Sequence, residues 1–188
     1  MSPGPHPGAE NALRLARASY LAGEAVSLGG MAAALGVNRA TLHRWVGSKD
    51  ALLAEVMWRL TERTLEDLWD ALRSRPGPRV PSLLADYLRA TMTQPGARRF
   101  ALEQNSRLMR LLTTSEHGFH PRLVAAVRGY LAEDLAEHRA TTTLRLDELS
   151  YACVRIAESY YYLPTISGLQ PDPDSAERVL HALVSSPG

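Results

Sequence analysis

The chain is poor in cysteine, lysine and phenylalanine: it has one cysteine (Cys153), one lysine (Lys49) and two phenylalanines (Phe100 and Phe119). A single cysteine excludes an internal disulfide. Cys153 lies in an apolar helical stretch, where a small buried hydrophobe is the plain reading and a redox sensor the alternative. No apolar run approaches the ~20 residues of a membrane span. Residues 1–8 lack the apolar stretch of a signal peptide, so a cytoplasmic location without membrane attachment is the default expectation. Runs of β-branched residues are scarce, while Ala, Leu and Arg dominate, which points to an all-α protein.

A large excess of one charge is also lacking. The net charge is +1 over 188 residues, so no basic tail announces nucleic acid. The distribution is uneven, however. Residues 1–50 carry five basic side chains (Arg14, Arg17, Arg39, Arg44, Lys49) against three acidic ones (Glu10, Glu24, Asp50). A DNA-binding face can be basic while the remainder is neutral. The length allows one domain or two small ones with a real core, and 45% apolar residues fit a globular chain.

Helical periodicity and its breakers divide the chain into nine expected helices and no strands. After a disordered tail over 1–9, the first runs over 10–22, with Leu13, Ala16, Tyr20 and Leu21 on one side. The second covers 28–35, with Ser27 as N-cap, and the third 39–46, capped by Asn38. Ser48 caps a long fourth helix over 49–73. The breaker over 74–80 precedes a fifth helix, in whose first turn Pro81 fits and which closes at 94–96. The sixth spans 97–112. Pro121 opens a seventh to about 139, the eighth covers 147–163, and Asp172-Pro173 starts a ninth to 184. His117 and His120 fall in a loop with no partner pattern, and no metal site is expected.

A short helix, a glycine-containing turn at Gly36 and a second short helix form the spacing of a helix-turn-helix, in which one helix enters the major groove while another braces it. Ala33 is expected at the close approach of the two helices. Val37 and Leu42 hold the third helix inward, leaving Arg39, Ala40, His43 and Arg44 outward. Arg39 and Arg44 can read guanine or bind phosphate, and Thr41 and His43 can reach phosphate or a base edge. Lys49 lies beside free backbone N–H groups at a helix start, suited to phosphate. With the capping Ser27 and Asn38, these residues are the candidate DNA-binding set.

The run 35–53 resembles the TetR family signature, which has Gly-Val at the turn, Thr-Leu-Tyr in the recognition helix and Ser-Lys-Glu before a leucine. Thr41, Leu42, Ser48, Lys49 and Leu52 match. His43 replaces the usual tyrosine and keeps the ability to donate to phosphate. Val46 stands where phenylalanine is common, and Gly29-Gly30 where polar residues are frequent. The resemblance covers residues 10–57. It implies a DNA-binding domain over 10–49, an effector-binding and dimerisation domain over 50–188, and a repressor that binds a palindromic operator as a homodimer and is released by a small molecule. The stretch from Arg155 to Asp172 resembles the TetR subgroup named for regulating quorum-signal degradation, which implies a lactone-like effector; other hydrophobic molecules remain open.

The eighth expected helix is almost wholly apolar. At 100° per residue, Leu149, Cys153, Ile156, Ala157 and Tyr160 share one side, and Tyr151, Arg155, Glu158, Ser159 and Tyr162 the other. Arg155 and Glu158 are spaced to pair, as a structural ion pair, as part of a ligand cavity or exposed at the surface. Tyr87, Phe100 and Glu103 complete the candidate pocket. Glu103 and Arg107 are also spaced to pair. By the resemblance, the last two helices form the dimer surface through Leu149, Cys153, Ile156, Val179, Leu180 and Leu183. Two rival functions remain: a DNA-binding architectural protein without effector, and an all-helical enzyme. Against the enzyme, no Ser-His-Asp set, catalytic carboxylate pair, metal spacing or phosphate loop stands out, and no cofactor is expected.

Overall fold

Helix caps and prolines set most of the element boundaries. The structure, a computed structural model, describes residues 7–184 except Gln104, without the side chains of Phe100, Ala101, Leu102 and Asn105. Eleven helices and no strand occur among these residues: α1 Pro7–Leu21, α2 Leu28–Ala34, α3 Arg39–Val46, α4 Lys49–Ala71, α5 Val80–Thr93, α6 Pro95–Glu103, α7 Asn105–Thr113, α8 Phe119–Ala136, α9 Leu146–Tyr161, α10 Leu163–Ile166 and α11 Pro173–Leu183.

The caps behave as their chemistry dictates. The side chains of Ser27, Asn38, Ser48 and Asp172 accept from Gly30 N, Thr41 N, Ala51 N and Ser175 N at 3.2, 2.7, 3.0 and 2.8 Å. Several starts lie earlier than the sequence suggests. Pro7, Pro81 and Pro121 all sit within a first turn, where a missing N–H loses no intrahelical bond, so each helix can begin at or before its proline. Residues 7–9 are therefore helical and not part of the expected tail; residues 1–6 lie outside those described. The expected sixth helix is described as α6 and α7, on either side of Gln104. The expected eighth helix ends at Tyr161, and α10 follows, because Pro164 has no N–H to give Tyr160. Helix α8 stops at Ala136 through a Schellman closure, in which His138 at φ 55° and Arg139 donate to Leu135 O and Asp134 O.

Two compact units result, Met1–Leu60 with Thr93–Phe119, and Thr61–Met92 with His120–Gly188. This differs from the expected division at 49/50. In the first unit, α1 presents a narrow stripe of buried Ala9, Ala12, Ala16 and Tyr20, which lets α3 pack against it and seats Leu42 at 0% exposure. The opening turns of α4 belong to the same core through Leu52, Leu53, Val56, Met57 and Trp58, with Trp58 edge-on to Phe119 at 6.0 Å. A two-pronged ion pair, 2.9 Å on each prong, ties Arg59 of α4 to Glu10 of α1. Helix α6 meets the end of α1 so closely that a Cβ on Gly96 would collide with the Tyr20 carbonyl oxygen. Asp50 holds Arg107 of α7, and these contacts draw 93–119 into the first unit.

The second unit is organised around apolar side chains and one buried ion pair. Leu65, Leu83, Leu84, Leu131, Leu149, Val154 and Leu180 are essentially fully buried. Asp134, at 0% exposure, accepts from Arg79 N and Val80 N at 2.8 and 3.1 Å and from Arg79 Nε at 2.7 Å. One carboxylate thus caps α5 and neutralises a buried guanidinium, which also lies 4.0 Å over the Trp69 ring. Helix α9 packs against α11.

Candidate nucleic-acid interface and buried polar cluster

Helices α2 and α3 are joined by a turn in which Gly36 takes φ 65°, a conformation costly for residues with a Cβ. Leu42 points inward and Val37 is half-buried, as expected. Arg39, Ala40, His43 and Arg44 are all exposed, while Thr41 is half-buried. The close-approach position is Ala32, at 3% exposure, and not Ala33, which faces solvent. A shift of one residue on a helix rotates the side chain by about 100°, and Met31-Ala32 turn inward together.

The charges around this helix are distributed unevenly within the first unit. Arg59, Arg99, Arg107 and Arg110 are each held by a carboxylate: Glu10, Glu103, Asp50 and Asp50. Arg39, Arg44 and Lys49 make no ion pair among the described residues. Lys49 is half-buried and lines a small cleft with Glu24, Arg99 and Glu103, so two carboxylates share its surroundings. Ser27 and Asn38 are exposed but spend their side-chain acceptors on the caps.

In the second unit, α9 and the start of α8 build a polar cluster. Glu158 is 8% exposed; its Oε2 accepts from Arg155 Nη1 at 2.6 Å, and its Oε1 lies 2.9 Å from His120 Nδ1. Burial pushes the Glu158 carboxyl above the usual range, against the opposing pull of His120 and Arg155. The Tyr87 hydroxyl is 2.8 Å from Thr61 Oγ1, and Tyr87 O accepts from Thr91 Oγ1 at 2.8 Å. Burial also raises the Tyr87, Tyr161 and Tyr162 hydroxyls, with Tyr87 and Glu158 close enough to influence each other. Tyr162 is 4% exposed, and its hydroxyl has no hydrogen-bond partner among the described residues.

Of the candidate pocket residues, Tyr87, Arg155, Glu158 and Tyr162 thus fall in one electrostatic neighbourhood of the second unit. Tyr151 is 54% exposed and touches the cluster only through its ring, 5.9 Å from that of His120. Ser159 is exposed and donates to Ile156 O at 2.8 Å. Glu103 belongs to the first unit and pairs with Arg99 at 3.0 Å, not with Arg107, which turns to Asp50. The Phe100 side chain lies outside the described residues. His120 was missed by sequence reasoning, because it stands at the second position of α8, not in a loop, and its partner is 38 residues away.

The expected dimer set needs correction. Leu149, Cys153 and Leu180 are 0%, 1% and 0% exposed within the single chain, so they have no surface left to give a partner. Helix α9, which carries Leu149 and Cys153, packs against α11, which carries Leu180. Val179 is 40% exposed, and Ile156 and Leu183 are half-buried.

Residues 77–185, more than half of the chain, match the family described as "Tetracyclin repressor-like, C-terminal domain". The chain belongs to the TetR family of transcription regulators. Among solved structures, the TetR-family transcriptional repressor QsdR of R. erythropolis is similar at TM-score 0.84 and 25% identity, over 94% of this chain and 93% of that one. E. coli NemR in its reduced form shares the fold at TM-score 0.54 and 14% identity, over 97% and 100%. A TetR regulator from Haloarcula marismortui does so at 0.57 and 17%, over 95% and 98%. No curated protein sequence matches. Among the described residues, no helix is long and apolar enough to cross a membrane.

Proposed function

We propose that this TetR-family protein is a cytoplasmic repressor that binds a palindromic operator as a homodimer and is released by a small hydrophobic effector. The observation that carries the DNA-binding half is the charge pattern of the first unit. Arg39 and Arg44 stand exposed on the recognition helix and, like Arg14, Arg17 and Arg98, make no ion pair among the described residues, while Arg59, Arg99 and Arg107 of that unit are held by carboxylates. An unpaired guanidinium has no ion pair to break before it reaches phosphate or a guanine edge. Arg39, Ala40, Thr41, His43 and Arg44 form the groove-facing set. Lys49 contributes a phosphate contact at the start of α4, and Ser27 and Asn38 aid by fixing the two helix starts.

The effector half rests on the cluster of Tyr87, His120, Arg155, Glu158 and Tyr162 in the second unit, in which Glu158 and Tyr162 are buried, Tyr87 and His120 half-buried, and Arg155 exposed. Release requires that the effector bind one state of the dimer better than another, since equal affinity would shift nothing. Helix α4 runs through both units and is the natural lever. Similarity to a repressor named QsdR, together with the stretch from Arg155 to Asp172, favours a lactone-like effector. Val179, with Ile156 and Leu183, supplies apolar surface for the dimer.

Substitution separates the two halves. Arg44→Ala is expected to weaken operator binding by about 1–3 kcal/mol without changing the oligomeric state. Arg155→Ala is expected to spare DNA binding and impair effector release. Undiminished affinity of Arg44→Ala removes the recognition-helix assignment. An Arg155→Ala protein that loses stability alone assigns the pair a structural role.

A further inference from the structure

Resting on the reading of the second unit as the effector-binding half, one side chain defines the class of ligand. A buried hydroxyl without a partner is rare in native proteins, because its lost hydration is not repaid. Tyr162 is such a group, on a side chain 4% exposed at the end of α9. Its neighbours do not relieve it. The two Glu158 oxygens are engaged by His120 and Arg155, and the Tyr87 hydroxyl by Thr61. The Tyr161 ring stands edge-on to that of Tyr162 at 5.0 Å, and its hydroxyl makes no hydrogen bond to that of Tyr162.

The chemistry that satisfies this hydroxyl is specific. A phenol is a good donor and a weak acceptor, because its lone pair is shared with the ring, so the missing partner is an acceptor oxygen. A carboxylate would fit that need, but it would lie near the buried Glu158, whose neutralising Arg155 is already engaged. In a site of low dielectric, like charges so placed repel strongly. A cationic ligand would have to displace Arg155 from the same carboxylate. We infer that the Tyr162 hydroxyl donates to the carbonyl oxygen of an uncharged, largely apolar effector, so that neutral lactones, esters and ketones are ligands and free carboxylic acids are not.

The test uses the full-length protein, thermal shift and titration calorimetry. The probes are a series of medium-chain γ-lactones, each with its ring-opened hydroxy acid and the tetrahydrofuran that lacks the carbonyl. The expected result is lactone binding at least ~10-fold tighter than that of either relative, the worth of about one hydrogen bond in a desolvated site. In Tyr162→Phe the lactone is expected to lose that ~10-fold advantage while the tetrahydrofuran is unaffected. The ligand-free Tyr162→Phe protein is expected to melt no lower than the parent, because the hydroxyl had no partner to lose. Equal binding of lactone and tetrahydrofuran, or preference for the acid, overturns the carbonyl inference and leaves the effector site standing. A lower melting temperature for ligand-free Tyr162→Phe likewise overturns it. Failure of every probe to bind overturns the inference together with the lactone-type effector reading.

Discussion

Replacing Asp134 by alanine is expected to be among the most damaging single changes in the second unit. The carboxylate is fully buried and accepts three hydrogen bonds: two from the first backbone N–H groups of α5 and one from the Arg79 guanidinium. Alanine leaves the buried guanidinium with the Trp69 face and the exposed Glu137 carboxylate 3.2 Å from its Nη2, and two helix-start donors bare. Removing one partner of a buried pair costs ~3–5 kcal/mol. Losing an N-cap alone costs about 1 kcal/mol, and the two losses overlap, so a total of about 4 kcal/mol is expected. With a urea slope of roughly 2 kcal/mol per M, the midpoint falls by about 2 M. Urea titration followed by far-ultraviolet circular dichroism and by tryptophan fluorescence measures this. The double variant Arg79→Met with Asp134→Leu should recover much of the loss, since paired apolar replacement of a buried ion pair is often neutral. A midpoint shift below about 0.5 M for Asp134→Ala, or a double variant no better than the single one, would refute the reasoning.

Two further outcomes follow from the geometry. Gly96→Ala drives a Cβ into the Tyr20 carbonyl and must displace α6 from α1, so it is expected to lower both the stability of the first unit and operator affinity. Unchanged melting and affinity would show that α6 is free to shift at no cost. Cys153 is 1% exposed and burial pushes its thiol up to about 12, so the native protein should resist iodoacetamide at pH 8 and react on unfolding. Prompt alkylation of the folded protein would contradict that burial and revive the redox-sensor reading.

Local chemistry was the most legible part of the sequence. Ser27, Asn38, Ser48 and Asp172 each cap a helix within three residues, so their effect is written in adjacent letters. The exposed face of α3 was legible for the same reason, since Leu42 fixes which way the helix turns. The Arg155–Glu158 pair is one helical turn long and was found. Its third member, His120, was not, because the fold alone brings residues 38 apart together. A separation of 55 residues likewise hid Asp134 as the partner of Arg79. The apolar stripes of α9 and α11 were read as a dimer surface. A hydrophobic face must be covered, but sequence does not say whether by the same chain or another, and here Leu149, Cys153 and Leu180 are buried within the single chain, whose α9 packs against α11. Small residues also mislead by one position: Ala32 and Ala33 look alike in sequence, yet only Ala32 is buried.

The most direct measurement is fluorescence anisotropy of the wild-type protein titrated against a labelled duplex from upstream of its own gene, at two salt concentrations, with an unrelated duplex as control. The account predicts tight, sequence-preferring binding that weakens steeply with salt, each phosphate contact adding about 0.9 to the slope of log affinity against log salt, and a loss of preference in Arg44→Ala. Binding no tighter than to the control, there and across a random-sequence duplex library, would contradict the claim that α3 reads DNA.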